Sequence, residues 1–299
     1  MGQSRLAYRL KPGESVPEGV RRMAAEQLDW ALVHLRCESG QRDEPIHEAR
    51  KATKRLRALV RLVRRDLGDE KYALENQCYR DAAQRLSGLR DAAALVATLD
   101  CVVESLDPKI PQSRFAPVRT WLVEHCDQAD GRKRAVQEVV AELAPARKRL
   151  EHWKWQHRGW NGLRVGLQRT YARGRRNVAA AYARPSDEAF HDWRKQVKYL
   201  WYHTQILENV WPAAMQALAE ELDQLGALLG QDHDLAVLRA TLLAEFPGAE
   251  LYALDRQIDA LRFRLQAQAR RLAERIYLEP PRDFARRLHG YWQVWQAEH

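Results

Sequence analysis

His47, Arg50, Lys51 and Lys54 stand at relative positions 0, 3, 4 and 7, and His191, Arg194, Lys195 and Lys198 repeat the pattern. At about 100° per residue, that spacing places four side chains on one face of a helix. Arginine offers a planar two-point contact to phosphate, lysine a mobile point charge, and protonated histidine two further donors. Arg55, Arg57, Arg61 and Arg65 prolong the first stripe, and Arg169, Arg173 and Arg176 form a third at i, i+4 and i+7. Arg21 and Arg22, on the first helix, are further candidates. A bound polyanion would raise the protonation of His47 and His191, while their cationic neighbours lower it in the empty site. A cationic stripe built twice points to an extended anionic partner.

A solvated helix face normally interleaves acids among its bases to relieve repulsion. Here the run from His47 to Arg65 holds eight Lys/Arg and one acid, Glu48. His152 to Ser186 holds eight more and no acid. The whole chain carries only +9, so outside these two segments it is net acidic. The positive charge is gathered, and an anion that neutralises it accounts for the gathering better than solvation does.

Other chemistries are poorly served. Glu44-x-x-His47 and Glu188-x-x-His191 share a di-iron spacing, but a cationic surround opposes a metal and Pro45 interrupts the first copy. His191-Asp192 and His233-Asp234 suggest a metal-dependent phosphohydrolase, yet Asp234 aligns with Asp91, which follows Arg90 rather than a second histidine. No glycine-rich phosphate loop, nucleophile elbow or C-x-x-C pair is present. Trp153, Trp155 and Trp160 lie among Lys154 and Arg158 and could stack bases, or fill the end of a bundle. Trp30, Trp121, Trp193 and Trp211 read as core. The scattered Cys37, Cys78, Cys101 and Cys126, and the lack of a signal segment or membrane-length apolar run, fit a cytoplasmic protein.

The elements that must position the stripes are helices. Ser15 and Glu18 form a capping box around Pro17, opening a helix to about Cys37. A second helix should run from Asp43 to Leu67, with Gly68 closing it and Ile46, Ala49, Leu56, Val60, Val63 and Leu67 on its buried face. Helical pattern follows at 72–86, 91–106 and 116–143. In the second half it returns at 163–183, then from a cap at Ser186 to Asn209, from Pro212 to about Gly230, and over 234–246, 250–276 and beyond Pro281. A short strand at Leu6–Leu10 is the one exception. Leu86 to Leu99 aligns with Leu229 to Leu242 at nearly the same offset as the stripes. The expected architecture is all-α: an extension over 1–14, then pseudo-symmetric bundles of about four helices each, near 15–150 and 151–299, around a central basic groove.

H-x-x-R-K-x-x-K-R-L-R at 47–57, H-x-W-R-K-x-x-K-Y-L at 191–200, L-x-x-x-R-D at 86–91 and the basic run 167–176 resemble the conserved histidine α-helical domain, CHAD. The resemblance covers about residues 15–295. It implies two four-helix repeats around a basic channel, binding of inorganic polyphosphate, and a place at polyphosphate granules. The chain departs from it where Tyr199 and Trp201 occupy the positions of Arg55 and Arg57, which implies an asymmetric groove. The combined expectation is a non-enzymatic polyphosphate binder that needs no metal or cofactor and does not enter membranes. A nucleic-acid binder is the alternative, and a polyphosphate hydrolase comes third.

Overall fold

The computed structural model describes residues 8–36, 43–87, 91–125, 129–246 and 251–299, whose regular structure is helical, with no strand among them. The helices are α1 (Val16–Arg36), α2 (Asp43–Leu62), α3 (Arg64–Leu67), α4 (Asp69–Ser87), α5 (Asp91–Glu104), α6 (Ala116–His125) and α7 (Ala129–Arg149). After them come α8 (Asn161–Ala183), α9 (Asp187–Ile206), α10 (Pro212–Glu245), α11 (Tyr252–Ile276) and α12 (Pro281–Ala297).

Local signals set several boundaries. Ser15 N–H and Oγ–H both donate to Glu18 Oε2, at 2.9 and 2.6 Å, so α1 starts where the capping box places it. Ser186 Oγ accepts from Ala189 N–H at 3.1 Å and caps α9. The expected inner face of α2 is buried throughout, from Ile46 to Leu67.

Other boundaries differ from expectation. The second helix stops at Leu62, one residue before a turn at Val63, and a short α3 follows. Gly68 has φ +76° and ψ 161°, a conformation open to glycine but not the helical cap foreseen. The helices expected over 212–230 and 234–246 are one 34-residue rod, α10. Tyr8–Leu10 forms no strand, and Leu6 lies outside the described residues. Instead Leu10 N–H donates to Ile206 O at 3.0 Å, and Asn209 Nδ2 donates to Leu10 O at 2.7 Å.

The main core joins α1, α2, α4 and α7 to α8, α9, α12 and the first half of α10. At its centre α2 packs against both α8 and α9. The contact with α8 is close because Gly166 has no side chain: a Cβ there would lie 1.9 Å from Leu62 O. The contact with α9 is fixed by His203, fully buried, whose Nε2–H donates to Ala58 O at 2.9 Å. A separate apolar cluster lies further out, where Leu99, Val102, Phe115, Val118 and Leu122 of the α5–α6 region meet the outer halves of α10 and α11.

Candidate anion-binding site

The basic face of α2 and that of α8 converge. Arg57, Arg61 and Arg173 are half-buried. Burial pushes Arg57 below its usual range, Arg61 and Arg80 push the same way, and the Tyr199 and Tyr72 hydroxyls oppose them. Arg173 is lowered by burial first, then by Arg61, Arg169 and Arg176. The strongest electrostatic neighbours of both are thus other arginines and tyrosine hydroxyls, with no carboxylate among them. Two aromatic rings hold this cluster in place. The Arg61 guanidinium lies 4.5 Å from the Tyr199 ring centroid, and Arg64 lies 4.6 Å from that of Tyr72. Nε atoms of Arg55, Arg57 and Arg61 are buried without a hydrogen-bond partner.

The second stripe lies along the seam of α9 and α10. The rings of His191 and His233 are 4.5 Å apart between centroids. A Cβ on Gly230 would lie 3.5 Å from Arg194 Nη2, and one on Gly226 would lie 3.0 Å from Lys198 Nζ. Each step forward on α9 is matched by an equal step back on α10, as antiparallel helices require. The two glycines keep the seam shallow enough for Arg194 and Lys198 to lie over it. In α2 and α4 the comparable contact is Arg50 Nη2 to Ser87 Oγ, at 3.2 Å. Ser87 and Gly230 are counterparts in the internal sequence alignment.

The remaining stripe residues divide by environment. Lys51 pairs with Glu48 at 2.7 Å, Lys195 with Asp192, and Lys198 with Asp223 at 3.1 Å, all at partly exposed positions. Such pairs are worth little in water and exchange readily for a better anion. Lys198 also lies 4.5 Å above the Trp201 ring. Lys54, Arg65, Arg169 and Arg176 are exposed, and His47 is half-buried. Arg55 faces α1, where it donates to Gln27 Oε1 at 3.3 Å and covers the Tyr8 ring at 5.6 Å. Burial leads the effects that lower Arg194, against an opposing attraction from Asp234. His191 is pushed down to about 4, first by burial and then by His233, Lys195 and Arg194, with its Nδ1 buried and unpartnered.

Arg21 and Arg22 sit apart from this assembly. Arg22 is held by Glu14 at 2.7 Å, Glu26 at 3.2 Å and the Arg9 carbonyl at 2.8 Å. Arg21 donates to Trp153 O and covers Trp155. Both tie α1 to neighbouring chain segments. Of the three tryptophans in the stretch 153–160, Trp153 and Trp160 belong to the core, 2% and 5% exposed, and Trp155 packs partly buried against it. Trp193 is buried as expected, but Trp211 is 48% exposed, resting edge-on against Tyr291. Among the described residues, no three His, Cys, Asp or Glu side chains gather to hold a metal.

Tyr72 and Arg80 were missed as site residues in the sequence, and His233 was weighed there only as part of a metal-dependent phosphohydrolase motif. Each is a single residue on a helix of mixed composition, and only the meeting of helix faces brings it to Arg57 or His191. Arg90 and Asp91 of the repeated L-x-x-x-R-D stretch lie outside the residues whose side chains are described.

No curated protein matches the chain. A crystal structure of the CHAD domain from the plant Ricinus communis superposes with a TM-score of 0.62, covering 88% of this chain and 89% of that one at 17% identity. At that identity the likeness speaks for the fold. The CHAD domain family itself matches residues 22–243, well over half of the sequence. The protein belongs to the CHAD domain family.

Proposed function

We propose that this protein binds inorganic polyphosphate, without catalysis, along the groove bordered by α2, α8 and α9 and by the seam of α9 with α10. The observation that carries the reading is the arginine cluster around Arg57 and Arg173: Arg57 has Arg61, Arg80, Tyr199 and Tyr72 as its electrostatic neighbours, and Arg173 has Arg61, Arg169, Arg176 and Tyr72. Partly buried like charges raise the free energy of the empty site, and a linear polyanion relieves that cost along its whole length. Within this reading the two stripes belong to two related repeats, and His47, Arg50, Lys54, His191, Arg194 and Lys198 extend the track from both ends. Of the three tryptophans that single-stranded nucleic acid could stack on, Trp153 and Trp160 are buried and only Trp155 is partly exposed, which favours polyphosphate.

The test is a binding competition among long-chain polyphosphate, orthophosphate and single-stranded DNA at equal phosphate concentration. Polyphosphate should win over orthophosphate by at least about 10²-fold, because linked weak contacts multiply. Its affinity should fall steeply between about 50 and 200 mM salt as condensed counterions are no longer released to advantage. Equal competition by orthophosphate overturns the groove reading, and a victory for DNA transfers the site to nucleic acid.

A further inference from the structure

His233 belongs to no stripe, yet it occupies the place where a stripe residue needs a partner. Its ring stacks at a tilt of 40° against His191, with centroids 4.5 Å apart, and both side chains are only half-buried. In the internal alignment the residue matching His233 is Arg90. One copy of the sequence therefore has a permanent cation at this position and the other a titratable one.

Resting on the polyphosphate reading, we propose that His233 is a further polyphosphate-contacting residue, and that the His191–His233 pair takes a proton from solvent as the polyanion seats. The surroundings favour a neutral pair while the groove is empty. From α9, His191 faces Arg194 and Lys195, which oppose its protonation, and Asp192, which supports it. His233 faces Arg194, offset by Asp234, Asp232 and Asp187. Asp232 and Asp187 are already engaged by Arg262 of α11, with Asp232 Oδ1 2.9 Å from Arg262 Nε. Burial lowers both histidines further. A phosphate chain lying over Arg194 reverses this balance: it adds negative charge beside the two rings, which favours their protonated forms. The proton gained gives His233 the charge that Arg90 carries at the aligned sequence position.

The experiment is calorimetric titration of the full chain with long-chain polyphosphate, whose internal groups stay ionised, from pH 8 to 5.5. At each pH, two buffers of different ionisation heat give the number of protons taken up. The wild-type chain should show net uptake, with affinity rising toward acid by up to about tenfold per pH unit for each proton bound. His233→Arg should bind at pH 8 at least as tightly as wild type, with a flattened pH profile. His233→Gln should lose the gain at pH 5.5. His47 is common to all three proteins, so its contribution cancels. Equal proton counts and equal pH slopes in the three proteins overturn the role of His233 while leaving polyphosphate binding intact. Absence of binding at every pH overturns the polyphosphate reading and this inference together.

Discussion

Acidification should weaken the empty protein through one histidine that lies at the crossing of α2 and α9. His203 is fully buried, its Nε2–H donates to Ala58 O, and its Nδ1 has no partner. A proton on Nδ1 would leave a charge in the core without an acceptor. Burial is the main cause that holds its pKa at about 4, with Arg61 adding repulsion and the bond to Ala58 O opposing. In the unfolded chain the same group titrates near 6.5. Between these values the unfolded state binds the proton and the folded state does not, so stability is complete above about pH 6.5 and falls as pH drops toward 4. At about 1.4 kcal/mol per pH unit, the loss by pH 4.5 is about 2–3 kcal/mol. His203→Gln keeps an N–H for Ala58 O and removes the titration, at a cost of about 1 kcal/mol at neutral pH. Urea unfolding of both proteins at pH 7, 5.5 and 4.5 isolates the effect, because buried carboxylates such as Asp66 and Asp232 are common to both. The variant should be the less stable at pH 7 and the more stable at pH 4.5. A constant difference between the two across that range would refute the reasoning.

Gly166→Ala should destabilise by about 2 kcal/mol or more, since the new Cβ meets the Leu62 backbone and not a movable side chain. Gly226→Ala meets only the end of Lys198, so thermal melts should separate the two, with Gly226→Ala near wild type. Tyr199→Leu should lose about 1 kcal/mol of polyphosphate affinity, roughly fivefold, by removing the platform under Arg61, while Tyr199→Phe keeps it. Arg173→Gln should weaken polyphosphate binding and reduce its salt dependence, yet leave the stability of the empty protein in urea unfolding unchanged or raised by about a few tenths of a kcal/mol.

What could be read from the residues was whatever depends on near neighbours in sequence. Ser15 with Glu18, Ser186 and the buried face of α2 are fixed by bonds or periodicity within a few residues, and they stand where the pattern puts them. Gly230 reads as a stop signal, but its place is set by Arg194 crossing above it, and the helix runs on. The end of α2 at Leu62 has no punctuation of its own and coincides with the close approach of Gly166 from another helix. The cationic stripes were visible because each is carried by one helix. The Tyr72, Tyr199 and Arg80 surroundings of Arg57 were not, because three helices must first meet. Tyr199 and Trp201, which break the basic pattern, turn out to lie beneath cations as aromatic supports.

The outer apolar cluster gives the chain an interlock. The α5–α6 segment belongs by sequence to the first half, but its apolar residues find their cover on α10 and α11 of the second. Neither half is complete alone: a fragment ending near Arg149 would expose Leu99, Val102, Phe115 and Leu122, and its complement would expose Leu238, Leu242 and Ile258. A chain nicked in the connector between α7 and α8 would still hold together as two mutually clasped pieces. The rod α10, about 50 Å long at 1.5 Å per residue, carries both this far clasp and Gly230, over which Arg194 lies, so one rigid element ties the interlock to the second stripe.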